Sequence, residues 1–421
     1  MKVYKFGGAS IESIERAKRA VYIMQKALPE KLIVVISAKG KTTNALEEIV
    51  TSFMHKNLND AIGLLKVLEL EHLAYAKELL GEIPEKLSQK IRELITEIEW
   101  VFDEPTGKGF DYYYDQIVCV GELLSTSIIH VYMMQQGINA TWIDARDLIK
   151  TDNNYRDANV DWHETETQTQ KIITGAFKQA EIIITQGFIG GTDENNSVTL
   201  GREGSDYTAA ILANIMNADS LSIWKDVPSL LNADPKIFPN TIAIPAITFH
   251  EVIEMAYYGA QVIHPKTIKP LQNKNIPLHV KCFLDETLPG TTISNDFEHI
   301  NYPPIMVLKT NQVLLQVNTK DYSFITEENL SKIYTLFHDC KIKINLIQNA
   351  AISFVACVDA HPEKIEILLQ KLKNEYEVKR NENLFLFTVR HYTQDVLSEE
   401  LKNRTILLEQ RTRQTVQMIV R

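Results

Sequence analysis

Two short runs, LIVVIS (32–37) and EIIITQ (181–186), are apolar at consecutive positions, not at alternate ones. A strand that is apolar on both faces must be covered on both, as a parallel strand is inside an α/β sheet. Segments of helical period surround them. Residues 2–6 alternate as a short strand, Gly7 and Gly8 break it, and Ile14, Ala17, Val21 and Met24 recur at helical spacing. After LIVVIS the loop AKGK leads to Thr43, Leu46, Ile49, Val50 and Phe53 at the same period. Strand, loop and helix thus repeat, and such sheets bind ligands in the loops at their strand C-termini.

The stretch LGREGSDYTAA (200–210) opens a further helix with small residues, a fixed cation and a carboxylate. Gly201 and Gly204 let the backbone approach a ligand, and the free amides and dipole of the helix start favour an anion. Arg202 adds a planar fork suited to a carboxylate. Asp206 leaves two readings open: it (or Ser205) caps the helix, or it meets a cationic part of the ligand, such as an amine. Gly7 and Gly8 either form a plain turn or present amides to phosphate oxygens, with the point charge of Lys5 just before them. Glu122 lies in the apolar first half of IVCVGELLSTSIIHVYMMQQG, a costly place for a carboxylate unless protein or ligand supplies a cation. Ser37, Thr42, Thr43 and Asn44 can all cap the second helix. Thr248 with Glu251 has the form of a capping box, and Pro265 at a helix start makes His264 a capping or packed residue, not a base.

Residues 60–100 are leucine-rich and nearly free of glycine, a helical hairpin inserted into the α/β pattern. DEPTGKGFDYYYD reads as a loop, and the helix after it as one long element closed by Gly137. NATWIDA is a strand, 172–177 part of a helix, and TDENNS a hairpin tip. LSIWKDVPSLLNADPK is a strand that gives way to a Pro-bearing loop with Lys225, Asp226, Asp234 and Lys236. IPLHVKCF reads as the last strand of the large domain, with LPGTTIS leaving it. A boundary falls near Pro303 and Pro304. Beyond it the order βαββαβ describes a ferredoxin-like sandwich over 305–390, and 391–421 has room for a helix and two strands.

At 421 residues the chain has room for two or three domains. A net charge of −10 argues against nucleic acid or an anionic membrane as the main partner. The four cysteines are far apart and form no CxxC pair, which fits a reducing cytoplasm. The N-terminus lacks the apolar core of a signal peptide, and no apolar run approaches the length of a membrane span. The expectation is a soluble cytoplasmic protein.

Taken together, KFGGAS, VVISAKGKTTN, VGELLST, ITQGFIG, LGREGSDYTAA, IWKDVPSLLNADP and GAQVIHP resemble, in order and spacing, the motifs of aspartate kinases. The resemblance spans residues 2–295 and continues more loosely beyond. It implies an α/β fold, the amino acid kinase αβα sandwich, over 1–298, a C-terminal ferredoxin-like (ACT) α+β domain over 305–390, and a partial second ACT unit over 391–421. The implied reaction moves the γ-phosphoryl group of ATP to the side-chain carboxylate of L-aspartate, the entry step to lysine, threonine, methionine and diaminopimelate. By the same resemblance Lys5, Arg202 and Asp206 are catalytic, and Thr43, Ser37, Glu122 and Arg202 bind aspartate. Within that set Arg202 clamps the α-carboxylate, and Glu122 and Asp206 hold the α-ammonium. Lys5, Gly7, Gly8, Lys225, Asp226, Lys236 and Gln261 meet the nucleotide. Mg²⁺ arrives with ATP and needs no protein ligands. Pairing of two or more copies through the ACT region is also implied.

Several positions depart from the family pattern: Gln261 and Leu231 stand where lysine and tyrosine are usual, Ala9 replaces a hydroxyl residue, and Glu203 replaces a glycine. The alternatives are another amino acid kinase, such as one acting on N-acetylglutamate, and an ACT-bearing amino-acid sensor with a decayed kinase site. Glu122 and Asp206 argue against the first, because an acylated amine carries no charge for them to hold. Retention of Lys5 argues against the second. In the C-terminal region INLIQNAAIS places Asn345 where lysine-sensitive members carry an acid, and a neutral amide is a poorer partner for an ammonium. Millimolar lysine is therefore expected to leave the activity of the purified protein nearly unchanged. Strong inhibition in a steady-state assay would contradict this.

Overall fold

The computed structural model describes residues 1–104, 107–260, 263–297, 299–402 and 404–421. Its chain divides into two compact units. One holds Met1–Leu230, Pro245–Ile253 and Ile263–His299; the other holds Leu231–Ile244, Glu254–Val262 and Ile300–Arg421.

The first unit is built on an eight-stranded sheet. Its order is Ala246–Ile247, Thr291–Ile293, Leu278–Cys282, Ser220–Lys225, Lys2–Phe6, Leu32–Ile36, Ile182–Gln186 and Ala140–Trp142. All pairings are parallel except that between Leu278–Cys282 and Thr291–Ile293. The two apolar runs that opened the sequence reading are buried at every strand position. Thr291–Ile293 is a difference from expectation: LPGTTIS does not leave the sheet after Leu278–Cys282 but turns back along it, and three residues are too few for a period to show.

Helices Leu58–Leu80 and Glu85–Asp103 form the expected hairpin. The segment after it differs from its reading as a loop, because Phe110–Val118 is helical and buries Tyr112, Tyr113 and Tyr114. The expected single long helix is accordingly preceded by this segment and continues as Val120–Gln135, meeting it at Cys119. Together Phe110–Gln135 spans 26 residues and is apolar and long enough to cross a membrane, contrary to the expectation of no such run; 83% of its apolar window is buried in the protein, as in a core helix.

The second unit carries a six-stranded sheet in the order Ile344–Asn349, Ser353–Asp359, Ile305–Thr319, Tyr376–Arg390, Thr415–Val420 and Ile406–Arg411. Helices Glu327–Asp339 and Pro362–Leu372 bury Ile333, Phe337, Ile365, Leu368 and Leu372 against it. The first four of these strands and the two helices give βαββαβ in chain order. The last two strands form no sheet of their own: Thr415–Val420 pairs with the outer half of Tyr376–Arg390 and extends the same sheet. At a bulge near Gln312 a half-buried polar cluster forms. Asn345 Oδ1 accepts from Lys309 Nζ at 2.9 Å, and its Nδ2 donates to Gln312 Oε1 at 2.9 Å and to Asp359 Oδ1 at 3.0 Å.

Candidate active site

Four adjacent parallel strands end at one cavity of about 520 Å³ in the first unit. Lys5 comes from Lys2–Phe6, Ser37 from just beyond Leu32–Ile36, Phe188 from just beyond Ile182–Gln186, and Lys225 from the end of Ser220–Lys225. The remaining walls are Thr43, Tyr114, Glu122, Arg156, Thr199 and the run 201–206. This is the C-terminal edge of a parallel sheet, where loops and helix starts converge.

Lys5 Nζ lies 2.7 Å from Asp206 Oδ1, and both side chains are nearly buried, 12% and 5% exposed. Asp206 therefore meets a cation of the protein and does not cap its helix. Helix Gly204–Ile215 begins after Glu203, which sits in the left-handed region at φ 55 and contributes no side-chain cap. Glu203 instead accepts from the backbone N–H of His264 at 2.9 Å. His264 in turn caps helix Pro265–Asn273 through Nδ1, which accepts from the Lys266 N–H at 3.2 Å. Helix Thr42–Met54 likewise starts without a side-chain cap. Thr43 and Ser37 line the cavity. Thr248 Oγ1 does accept from the Glu251 N–H, at 3.2 Å.

Glu122 is 2% exposed. Its Oε1 accepts from the Ala38 N–H at a long 3.4 Å, and its Oε2 is buried without a hydrogen-bond partner. No cation of the protein pairs with it among the described residues. Burial pushes its carboxyl up to about 8, against the opposing pull of its own backbone N–H and that of Ala38. The helix is brought this close to the 38–42 loop by Gly121, where a Cβ would lie 3.0 Å from Leu46 Cδ1 and Thr42 Cγ2 and 3.1 Å from Ala38 Cβ. Arg202 is exposed and engages no acid among the described residues. The cavity thus offers an open guanidinium, an ion pair, and a carboxyl group waiting for a positive charge.

Asp115 is fully buried behind the wall. It accepts from Thr199 Oγ1 at 2.7 Å, the Thr199 N–H at 2.9 Å and the Arg156 N–H at 2.9 Å. Burial raises its carboxyl to about 6, with these donors pulling the other way. Thr199, Tyr114, Phe188 and Arg156 were not singled out in the sequence. Phe188 stands within ITQGFIG but was given no role there, the other three belong to none of the quoted motifs, and Arg156 stands in the polar run TDNNYRDANV with nothing to mark it.

Of the residues expected to meet a nucleotide, Lys5 and Lys225 line the cavity, and Gly7 and Gly8 directly follow Lys5. Asp226 is exposed next to Lys225 and does not line it. Lys236 lies in the second unit, exposed, with its N–H donated to Asp234 Oδ1 at 2.9 Å. Gln261 lies outside the described residues.

Residues 1–282 match the model of the amino acid kinase family. Aspartokinase 2, chloroplastic, of Arabidopsis thaliana is 32% identical over 381 residues, 85% of this chain and 66% of that protein. Lysine-sensitive aspartokinase 3 of Escherichia coli (strain K12) is 30% identical over 363 residues, 85% of this chain and 78% of that protein. The crystal structure of E. coli aspartokinase III in complex with aspartate and ADP (R-state) superposes with a TM-score of 0.83 at 24% identity, over 100% of this chain and 96% of that one, and shares the fold. The chain spans two thirds or less of the Arabidopsis relatives' length, 66%, 42% and 64% for three of them. A parallel sheet with its cavity at the strand C-termini, joined to an ACT-like βαββαβ sheet, defines the class. The chain belongs to the amino acid kinase family and, within it, to the aspartokinases.

The raised carboxyl of Glu122 makes stability depend on pH. The unfolded chain releases this proton near 4.5 and the folded chain near 8. Between the two the fold holds a proton that the unfolded chain has lost, so stability falls as pH rises, and the loss is complete above 8. Glu122→Gln is expected to match the wild type near pH 4 and to exceed it at about pH 8.5 by about 2–5 kcal/mol in urea unfolding. A difference independent of pH would contradict the burial of an unpaired carboxyl.

Proposed function

We propose that this protein is an aspartate kinase that transfers the γ-phosphoryl group of ATP to the side-chain carboxylate of L-aspartate. The observation that carries the reading is the pairing, in one cavity, of the open guanidinium of Arg202 with the uncompensated carboxyl of Glu122 and the nearby Asp206. That set matches the carboxylate and ammonium of a free amino acid. The names of the relatives point the same way.

Arg202 takes the α-carboxylate, and Glu122 gives up its proton and, with Asp206, takes the α-ammonium, while Ser37 and Thr43 supply hydroxyl contacts. The acceptor carboxylate is already a nucleophile and needs no base. One of its oxygens forms a bond to the γ-phosphorus, the bond from that phosphorus to the β,γ-bridging oxygen breaks, and ADP leaves with the electron pair. The product is an acyl phosphate. Catalysis then consists of alignment and charge stabilisation. Lys5, oriented by Asp206, stands between acceptor and phosphate oxygens, with the Gly7 and Gly8 amides beside it. Lys225, at the cavity, serves the nucleotide with Asp226 next to it in the chain.

Mg²⁺ is proposed to enter bound to the ATP phosphates, where it neutralises charge. The ACT-like unit is proposed to pair copies of the chain. Its sheet has open edges at Ile344–Asn349 and Ile406–Arg411, and the latter exposes Ile406 and Leu407. Four buried, unbridged cysteines support a cytoplasmic setting.

The purified protein with ATP, Mg²⁺, hydroxylamine and L-aspartate is expected to form aspartyl hydroxamate, and to form none from N-acetyl-L-glutamate. Product from the acylated substrate alone would contradict the reading.

A further inference from the structure

One cation of the cavity is used neither by the motifs nor by the reaction above. Arg156 lines the wall beside Arg202. Their loops are in direct contact: Gly201, at φ +75, packs so closely on the 156–157 stretch that a Cβ there would lie 3.2 Å from the Arg156 carbonyl oxygen and 2.7 Å from the Asp157 side-chain Oδ1. The two guanidinium groups therefore spring from touching stretches of chain.

The backbone of Arg156 is held with unusual firmness. Its φ is +68, a region that a long side chain rarely adopts. Buried Asp115, which also binds Thr199, accepts its N–H at 2.9 Å. Such strain persists only where the surroundings over-determine it, and it gathers at functional sites.

The side chain is loosely held by comparison. Its guanidinium lies over the Tyr114 ring, 4.4 Å from the centroid. Its acid partners are Asp111 at 3.3 Å and Glu47 at 3.9 Å, both largely in solvent, with side chains 61% and 47% exposed. Exposed pairs of this kind contribute little, so an anion in the cavity competes well for the guanidinium. These neighbours also place it. Glu47 is one helical turn beyond Thr43, and Tyr114 stands on the segment that leads to Glu122. Both Thr43 and Glu122 belong to the acceptor end of the site.

We infer that Arg156 is a specificity-determining residue: it turns from Asp111 and Glu47 onto the α-carboxylate of the acceptor and completes, with Arg202, a two-guanidinium clamp. The inference rests on the aspartate kinase reading. The clamp selects acceptors whose α-carboxylate is free.

Arg156→Gly and Arg156→Asn test this in the full-length protein. Both replacements suit a positive φ, so the fold is kept, as thermal melting will show. Loss of a charge-assisted contact made in both the bound and transition states is expected to raise KM for L-aspartate by about 10- to 100-fold, with the fall in kcat/KM carried by KM. KM for ATP is expected to stay within about twofold. L-aspartic acid α-amide, which keeps the ammonium and the side-chain carboxylate, is expected to inhibit competitively with the same inhibition constant in wild type and variants. An unchanged KM for aspartate, an equal loss for the α-amide, or a rise confined to ATP would each overturn the assignment of Arg156. A wild-type protein that releases no ADP with aspartate would overturn the underlying activity instead.

Discussion

A carboxyl group buried with no cation beside it among the described residues is the constraint around which the first unit is arranged. Glu122 sits in a helix whose other side chains form the core, and taking its charge out of water is unfavourable without a partner. Lys5, the buried ammonium of the same cavity, is already committed to Asp206 at 2.7 Å. Breaking that pair to neutralise Glu122 would leave another buried charge uncompensated, which is strongly unfavourable. The fold therefore keeps Glu122 protonated near neutral pH and leaves its compensation to a ligand.

The rest of the site follows from the sheet. Parallel strands bring their C-terminal ends to one edge, so Lys5, Ser37 and Lys225 converge although they are separated widely in sequence. The start of helix Gly204–Ile215 adds amides and Asp206, and the apolar helix at Val120–Gln135 adds Glu122. Rigid elements hold Lys5, Asp206 and Glu122, whereas Arg156 and Arg202 line the cavity from turns. Asp115 joins these levels, since one buried carboxylate ties the strand at Thr199 and the loop at Arg156 to a single helix.

Much of this was legible in the sequence where a residue pattern has one physical solution. The runs at 32–37 and 181–186 read as strands covered on both faces and are buried at every strand position, and the apolar periods beyond Pro304 read as the βαββαβ that the chain forms. Glu122 was legible as a group in need of a positive charge, though not that the protein would withhold one. Elsewhere local composition misled. Gly109, Asp111, Asp115 and three successive tyrosines look like a loop, and only long-range packing reveals a buried helix there, because the donors that satisfy Asp115 come from Thr199 and Arg156. Asp206 was ambiguous between cap and ligand contact; the partner that decides it, Lys5, lies two hundred residues earlier on a neighbouring strand. Caps expected at Ser205, Thr42 and Thr43 are absent: Ser205 and Thr43 line the cavity, and the Thr42 hydroxyl lies 3.4 Å from His72 Nε2.

The central claim is that a free α-ammonium supplies the charge that Glu122 lacks, so binding must drive off the proton that burial keeps there. Titration calorimetry of L-aspartate at pH 7, in buffers of different ionisation enthalpy, measures this directly. With a carboxyl near 8 in the free protein, the account predicts release of about one proton per aspartate bound, and none from Glu122→Gln. Binding of aspartate to the wild type with no proton released would show that Glu122 is already ionised or stands apart from the ammonium, and would contradict the account.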